Sequence, residues 1–300
     1  MKSKFAPVSV ALCGVVLVLS SLALAGPERP VTIRPNVVYG NDDRTDLKDV
    51  RDPMIRKIAD STVALFRTRN IQMDRNTGIA TLALNSYGRQ MGLCPSERFF
   101  DQLNGAFCSG TLVGPDTILT AGHCITSEAD CAQTAFVFGF AVNTASQTPR
   151  AVAGNQVYQC TSIVMREQVG TGADFAIVKI DRVVPDHAAM RVNRNGGLTS
   201  SQGLVMIGHP SGLPTKVAGD AHLRSLKNGY FVATTDSYGG NSGSGVFNER
   251  TGLLEGVLVR GETDFERSPE GCMVTKVCAE TDCRGEDVTS PSAFARFIQQ

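Results

Sequence analysis

Short apolar segments closed by Gly, Pro, Asn or Asp follow one another along this chain: "GTLVGPDTILTAGH", "AFVFGFAV", "DFAIVKID", "GLVMIGHP", "YFVATTD" and "LLEGVLVRGE". Each is rich in β-branched and aromatic residues, which suit a pleated, half-buried surface, and each ends at a turn former. The body is therefore expected to be all-β, of sandwich or barrel type. Only two stretches read as helix. One is Asp52 to Asp60, and the other is "PSAFARFIQ", Pro291 to Gln299, where Phe294, Phe297 and Ile298 fall at i, i+3, i+4 behind Pro291 and Ser292. The second predicts a terminal helix packed on a barrel. The loop-like stretch Arg182 to Gln202 is the expected link between two halves, and no internal repeat is visible.

With 300 residues, 42% hydrophobic and 19% charged, the chain can bury a sizeable core. Its 29 basic and 29 acidic residues cancel, so no overall field draws it to nucleic acid or anionic lipid. The N-terminus supplies MKSKF, an apolar run from Pro7 to Leu24, and Ala23-Leu24-Ala25 before Gly26. These are the parts of a secretory signal peptide over residues 1–25. An uncleaved anchor is the competing reading, disfavoured by small residues where a peptidase would cut, and Leu12 is too large for a lipoprotein site at Cys13. After signal removal the expected place is extracellular or periplasmic, with no membrane association and a monomeric state. Residues 26–36, "GPERPVTIRPN", are Pro-rich and aperiodic, which leaves propeptide and disordered leader both open.

Eight cysteines remain beyond the signal: Cys94, Cys108, Cys124, Cys131, Cys160, Cys272, Cys278 and Cys283. An even number in an exported chain favours disulfides. Zinc competes, since Cys272, Cys278 and Cys283 cluster, but there is no C-x-x-C pair and gaps of five and four residues fit zinc fingers poorly. Neither a metal nor a cofactor is expected.

"GGNSGSGVFN", residues 239–248, offers Ser242 and Ser244 in a glycine-rich turn. A serine becomes a nucleophile when a base takes its proton, a carboxylate orients that base, and backbone N–H groups receive the oxyanion. Of the four histidines, His187 lies in a polar loop, and His209 and His222 flank a Gly/Pro turn region. Only His123, in "LTAGHC", ends an apolar strand beside a cysteine that could hold it rigid. Asp174, in "GADFAIVKID", stands between a small-residue turn and an apolar strand, where a carboxylate can be buried against an imidazole.

"FCSGTLVGPDTILTAGHC", "DFAIVKI" and "GGNSGSGVFN" resemble, in order, the three signature blocks of chymotrypsin-fold serine proteases, most closely the bacterial V8-like and trypsin-like branch. "VVYGNDDR" is similar to the early mature sequence of V8-like enzymes, and the resemblance covers about residues 37–300. It implies two antiparallel six-stranded β-barrels, about 37–185 and 186–300, with a C-terminal helix and a cleft between the barrels. It implies a catalytic His123, Asp174 and Ser242, an oxyanion hole from the N–H groups of Gly240 and Ser242, and a Cys108–Cys124 disulfide. Pairing of the other six cysteines stays open. The α/β-hydrolase pattern fails, because Ser244 stands where G-x-S-x-G needs glycine and the triad order is wrong.

The same resemblance places Asp236 at the base of the primary specificity pocket, with Leu258, Val259, Arg260 and Gly261 along its wall. A carboxylate there implies cleavage after Arg or Lys. Leu258 replaces the histidine usual in glutamate-specific relatives. Arg260 has two settings, solvated on the wall or turned inward to neutralise Asp236. Asn241 cannot receive a new N-terminal ammonium as the aspartate of trypsin-like zymogens does, although a leader ending near Asn36 could still be removed. The expected activity is that of a secreted serine endopeptidase acting on proteins or peptides. Its rivals are a silent binding protein on the same fold and an HtrA-like protease suggested by "GHPSGLP"; the 58 residues after Ser242 should be consumed by the second barrel.

Overall fold

Twelve strands form two closed antiparallel barrels of the same design, as the resemblance implies. The computed structural model describes residues 1, 38–144, 147–279 and 281–299. Two units are distinguished, Met1–Val31 and Thr32–Gln300, and everything below concerns the second. The expected signal peptide and leader lie, Met1 apart, outside the described residues.

The first barrel comprises Thr62–Arg67 (β1), Cys108–Gly114 (β2), Thr117–Thr120 (β3), Thr134–Val137 (β4), Val157–Gln168 (β5) and Asp174–Ile180 (β6). Around the ring they run β1-β2-β3-β6-β5-β4. The second comprises Gly203–Gly208 (β7), Lys216–Leu226 (β8), Tyr230–Ala233 (β9), Gly245–Asn248 (β10), Leu254–Arg260 (β11) and Glu286–Thr289 (β12). They run β7-β8-β9-β12-β11-β10, closed by the β7–β10 and β7–β8 pairings. Closure removes strand edges that would otherwise expose unpaired N–H and C=O groups.

Side-chain alternation assigns each strand two duties. Leu204, Met206 and Leu258 join Val246 and Val288 in one buried cluster. Their neighbours Val205, Ile207, Val257 and Val259 enter another, continuous with Phe175 and Ile177 of the first barrel. Strands buried on both faces need near-continuous apolar runs, which explains why "DFAIVKI" and "LEGVLVR" carry so few polar residues.

The chain enters on the second barrel. Val38–Tyr39 pairs in parallel with Val277–Cys278, and Thr45–Asp46 extends β8. The first helix, Pro53–Asp60 (α1), starts where sequence signals place it: Asp52 caps the N–H groups of Met54 and Ile55 at 2.7 and 3.2 Å, and Pro53 takes the first position, where no N–H is needed. The terminal helix is shorter than expected, Pro291–Phe294 (α2) followed by a 3-10 turn, Ala295–Phe297. Arg194 ends it by donating to the carbonyls of Ala295 and Ile298. No described helix is long and apolar enough to cross a membrane.

All eight cysteines are paired: Cys94–Cys272, Cys108–Cys124, Cys131–Cys160 and Cys278–Cys283. The clustered cysteines considered for zinc are thereby spent as disulfides.

Candidate active site

β3 and β6 are neighbours, with Thr120 opposite Ala176, so the turn after β3 and the start of β6 meet at one end of the first barrel. That register brings His123 and Asp174 together. Asp174, fully buried, accepts the His123 backbone N–H at Oδ1 (3.1 Å) and faces Nδ1 with Oδ2 (2.9 Å). An ionised carboxylate only accepts, so Nδ1 carries the proton and Nε2 is left as the basic nitrogen. Thr289 of β12 clamps Asp174 from the second barrel: its Oγ1 accepts the Asp174 N–H (3.0 Å) and donates to the Asp174 carbonyl (2.9 Å). Phe175, the next residue, packs its ring on Phe294 of α2, which ties the terminal helix to the site. Gly122 is required for this approach, because a Cβ there would lie 2.3 Å from the Glu167 carbonyl and 2.9 Å from Asp174 Oδ1.

Ser242 lies in the turn between β9 and β10. Its carbonyl accepts the N–H of Ser109 at 2.8 Å and lies 3.6 Å from Sγ of Cys124, the residue after His123. Ser109 holds the same turn with its side chain, donating to the Gly240 carbonyl (3.0 Å) and accepting the His209 N–H (2.9 Å). β11 contributes backbone, since Gly243 N–H donates to the Leu258 carbonyl and Leu258 N–H to that of Ser244. Gly240 and Gly243 have φ of 94° and 91°, which a side chain would strain. Among the described residues, the N–H groups of Gly240 and Ser242 donate to no protein acceptor. Ser244 is fully buried and donates to Asn241 Oδ1 (3.1 Å), while Asn241 Nδ2 donates to Ser237 (3.0 Å). Asn241 is thus a neutral anchor of the turn.

The other histidines have partners of their own. Burial pushes His209 down to about 4, and its Nδ1 lies 3.0 Å from the Leu213 carbonyl. His187 stacks on Phe138 with Nε2 2.6 Å from Gln156, and His222 is exposed. A ring nitrogen of His123 lies near Sγ of Cys108 and Cys124, but sulfurs joined as a disulfide are not thiolate ligands, so this cluster is no metal site.

The specificity wall is arranged differently from what the sequence implies. Asp236 is buried, and both its oxygens are taken by backbone: Oδ1 by the Tyr39 N–H (2.7 Å) and Oδ2 by that of Asp43 (3.1 Å). Burial pushes Asp236 up to about 6. Burial and the adjacent Asp236 charge push Asp43 up to about 8. Leu258 and Val259 are fully packed into the two core clusters, and Gly261 is half-buried. Arg260 takes neither expected setting. Its side chain, 12% exposed, turns to Asp287 (Nε to Oδ2, 3.0 Å) and toward Asp174 instead of Asp236. A register shift between β11 and β12 is responsible: Leu258 pairs with Val288 but Arg260 with Asp287, and the extra residue re-aims the strand end.

Sequence reasoning missed Glu286. It is fully buried, Oε1 accepts from Tyr39 Oη (3.5 Å) and the Glu262 N–H (3.3 Å), and Oε2 has no hydrogen-bond partner among the described residues. Burial drives this carboxyl well above the usual carboxylate range. Tyr39, more than two hundred residues from Glu286 in sequence, contacts both Glu286 and Asp236: its hydroxyl donates to Glu286 and its backbone N–H to Asp236.

The family described as "Trypsin-like peptidase domain" matches residues 108–257. No curated protein matches the chain. Among solved structures it is similar to a Glu endopeptidase in complex with MPD, at 18% identity and TM-score 0.48 over 87% of this chain and 97% of that one. It is also similar to a serine endoprotease from Yersinia pestis, at 17% identity and TM-score 0.45 over 83% of this chain and 65% of that one.

Proposed function

We propose, for a chain that belongs to the trypsin-like peptidase family and is a serine endopeptidase, that Ser242 is the nucleophile, His123 its base and Asp174 the group that orients the base. The carrying observation is the two-point hold of Asp174 on His123, at Nδ1 and at the backbone N–H, within one residue of the contact to Ser242. His123 Nε2 takes the Ser242 proton as Oγ attacks the peptide carbonyl. The N–H groups of Gly240 and Ser242 receive the oxyanion, and His123 then protonates the leaving amine. Water hydrolyses the acyl-enzyme by the same route in reverse. Asp174 stabilises the imidazolium formed in each half.

Treatment with a fluorophosphonate tests the assignment. The label is expected on Ser242, and Ser242→Ala is expected to abolish it while folding normally. Labelling at Ser244, or none on folded wild-type protein, would refute the assignment and favour a silent binding protein.

Export follows from the same reading. The signal-like N-terminus and four disulfides support an extracellular or periplasmic enzyme acting on proteins or peptides as a monomer. A mature start near Val37 or Val38, after loss of the leader, belongs to the same proposal and rests on the likeness of "VVYGNDDR" to the early mature sequence of V8-like enzymes. Secreted active protein beginning at Gly26 would contradict that start. A preference for Arg or Lys remains the specificity proposal, resting on Asp236. A peptide-library profile of Asp236→Ser tests it; an unchanged profile would reject it.

A further inference from the structure

We infer that Arg260 is a positioning residue for the His123–Asp174 pair, an inference that rests on the catalytic roles proposed above. Its guanidinium has three kinds of partner. Nε donates to Asp287 Oδ2 at 3.0 Å. Nη2 donates to the carbonyls of Gly172 (2.6 Å) and Thr171 (3.0 Å), and Nη1 to that of Gly170 (3.3 Å). Nη1 also lies 4.0 Å from Asp174 Oδ2, the oxygen that faces His123 Nδ1.

Two consequences follow from this geometry. Residues 170–173 form the turn from β5 into β6, and Asp174 is the first residue after it, so donors on three successive carbonyls fix where the acid begins its strand. A planar fork can hold a carboxylate along one edge and carbonyls along another, which an ammonium cannot. The second consequence is electrostatic. A cation beside Asp174 offsets part of that carboxylate's attraction for a positive charge formed on the imidazole, so removing the cation would favour the imidazolium.

Other charges bear on the same pair. Asp287 of β12 balances Arg260 and is itself held by Arg284 at 2.7 Å. Tyr230 of β9 lies beneath the Arg260 guanidinium at 5.7 Å. From β5, Arg166 donates to the Gly122 and Ile125 carbonyls on either side of His123, and the Glu167 carbonyl approaches Gly122. Removing Arg260 therefore leaves two carboxylates, Asp174 and Asp287, facing the space it occupied.

The test is the pH dependence of inactivation by diisopropyl fluorophosphate, which needs no knowledge of the natural substrate. In Arg260→Gln the acidic limb of the rate profile is expected to move up by about half a pH unit or more, with a plateau about tenfold lower because the turn loses its donors. Arg260→Lys keeps the charge without the fork, so its limb is expected to stay near wild type while its plateau falls. Asp287→Asn leaves Arg260 uncompensated beside Asp174, and its limb is expected to move down; this variant serves if Arg260→Gln does not fold. A limb that stays in place in folded Arg260→Gln, or in Asp287→Asn, overturns the inference even where the plateau falls, since a purely structural prop would lower the rate without moving the limb. Wild-type protein that resists the reagent at every pH overturns this inference and the catalytic assignment together.

Discussion

Replacing Asp43 by Asn is expected to stabilise the protein at pH 8 and to do far less at pH 5. Asp43 and Asp236 share one buried corner: the folded protein pushes Asp236 up to about 6 and Asp43 up to about 8, against 3.8 for an ordinary aspartate. At Asp236 the cause is burial, offset by the two backbone N–H groups, a hydrogen bond from the Asp43 side chain and Arg44; at Asp43 it is burial together with the charges of Asp236, Asp42 and Asp220. Both folded values exceed the unfolded one. From about pH 4 upward the unfolded chain has released protons that the folded pair retains, so native stability falls as pH rises toward about pH 8. Below the unfolded value both states are protonated and this cost vanishes. A tenfold change in proton affinity is worth about 1.4 kcal/mol, so the rise at Asp236 alone corresponds to about 3 kcal/mol. Asp43 is partly solvated and its larger rise must be discounted for screening, which leaves about 2 kcal/mol for the substitution. The substitution keeps the backbone N–H bond from position 43 to Asp236, and the new side-chain amide could donate to that carboxylate as the protonated acid does. For a domain of this size the gain corresponds to a Tm increase of about 4–8 °C at pH 8. Thermal melts of wild type and Asp43→Asn at pH 5, 6.5 and 8 should diverge as pH rises. Parallel curves, or a variant that melts below wild type at pH 8, would refute the shared-proton account.

Asp174→Asn removes the acceptor that fixes the His123 tautomer and should lower the rate of peptide hydrolysis about 10⁴-fold with little change in melting temperature; a loss under tenfold would count against its role. Gly122→Ala puts a Cβ 2.3 Å from the Glu167 carbonyl, so the histidine turn must move, and fluorophosphonate labelling should slow about 100-fold. Ser109→Ala deletes the hydroxyl between Gly240 and His209 and should cost about 1–3 kcal/mol in urea titration, because a buried N–H and a buried carbonyl lose their partner. A Ser109 variant with the wild-type urea midpoint would show that the nucleophile turn does not depend on this cross-barrel bond.

The three blocks that carry the family resemblance were readable because each is local: a strand and the turn after it are contiguous in sequence, and glycine marks the places where backbone must approach backbone. The setting of the specificity wall was not readable for the opposite reason. Asp236 is closed by amides from residues 39 and 43, and Glu286 shares Tyr39 with it. No spacing rule connects segments that far apart. Arg260 shows a subtler loss of information: simple alternation would set it on the face of Leu258, and a one-residue register shift turns it toward Asp287 and Asp174. Among the cysteines, the short Cys108–Cys124 span carried the resemblance, whereas Cys94–Cys272 joins residues 178 apart and requires the fold to be known first.

The repeated strand order was hidden most completely, and it bears on the chemistry. Both barrels wind as first-second-third-sixth-fifth-fourth, yet no repeat is visible in the residues. Closing such a ring asks each strand only for an alternation of buried side chains, a condition that very different sequences satisfy. In the first barrel the third and sixth strands are neighbours, and their adjoining ends bring His123 to Asp174. In the second, Ser242 sits in the connection between the third and fourth strands, while the fifth and sixth carry Arg260 and Asp287 beside each other. The first barrel thus carries the proposed base and acid, and the second carries the proposed nucleophile and Arg260, whose guanidinium lies 4.0 Å from Asp174. A change that shifts one barrel against the other should move Ser242 away from His123 and Arg260 away from Asp174 together. On the proposed assignment, the cross-barrel bonds of Ser109 and Thr289 serve the catalytic geometry as much as the fold.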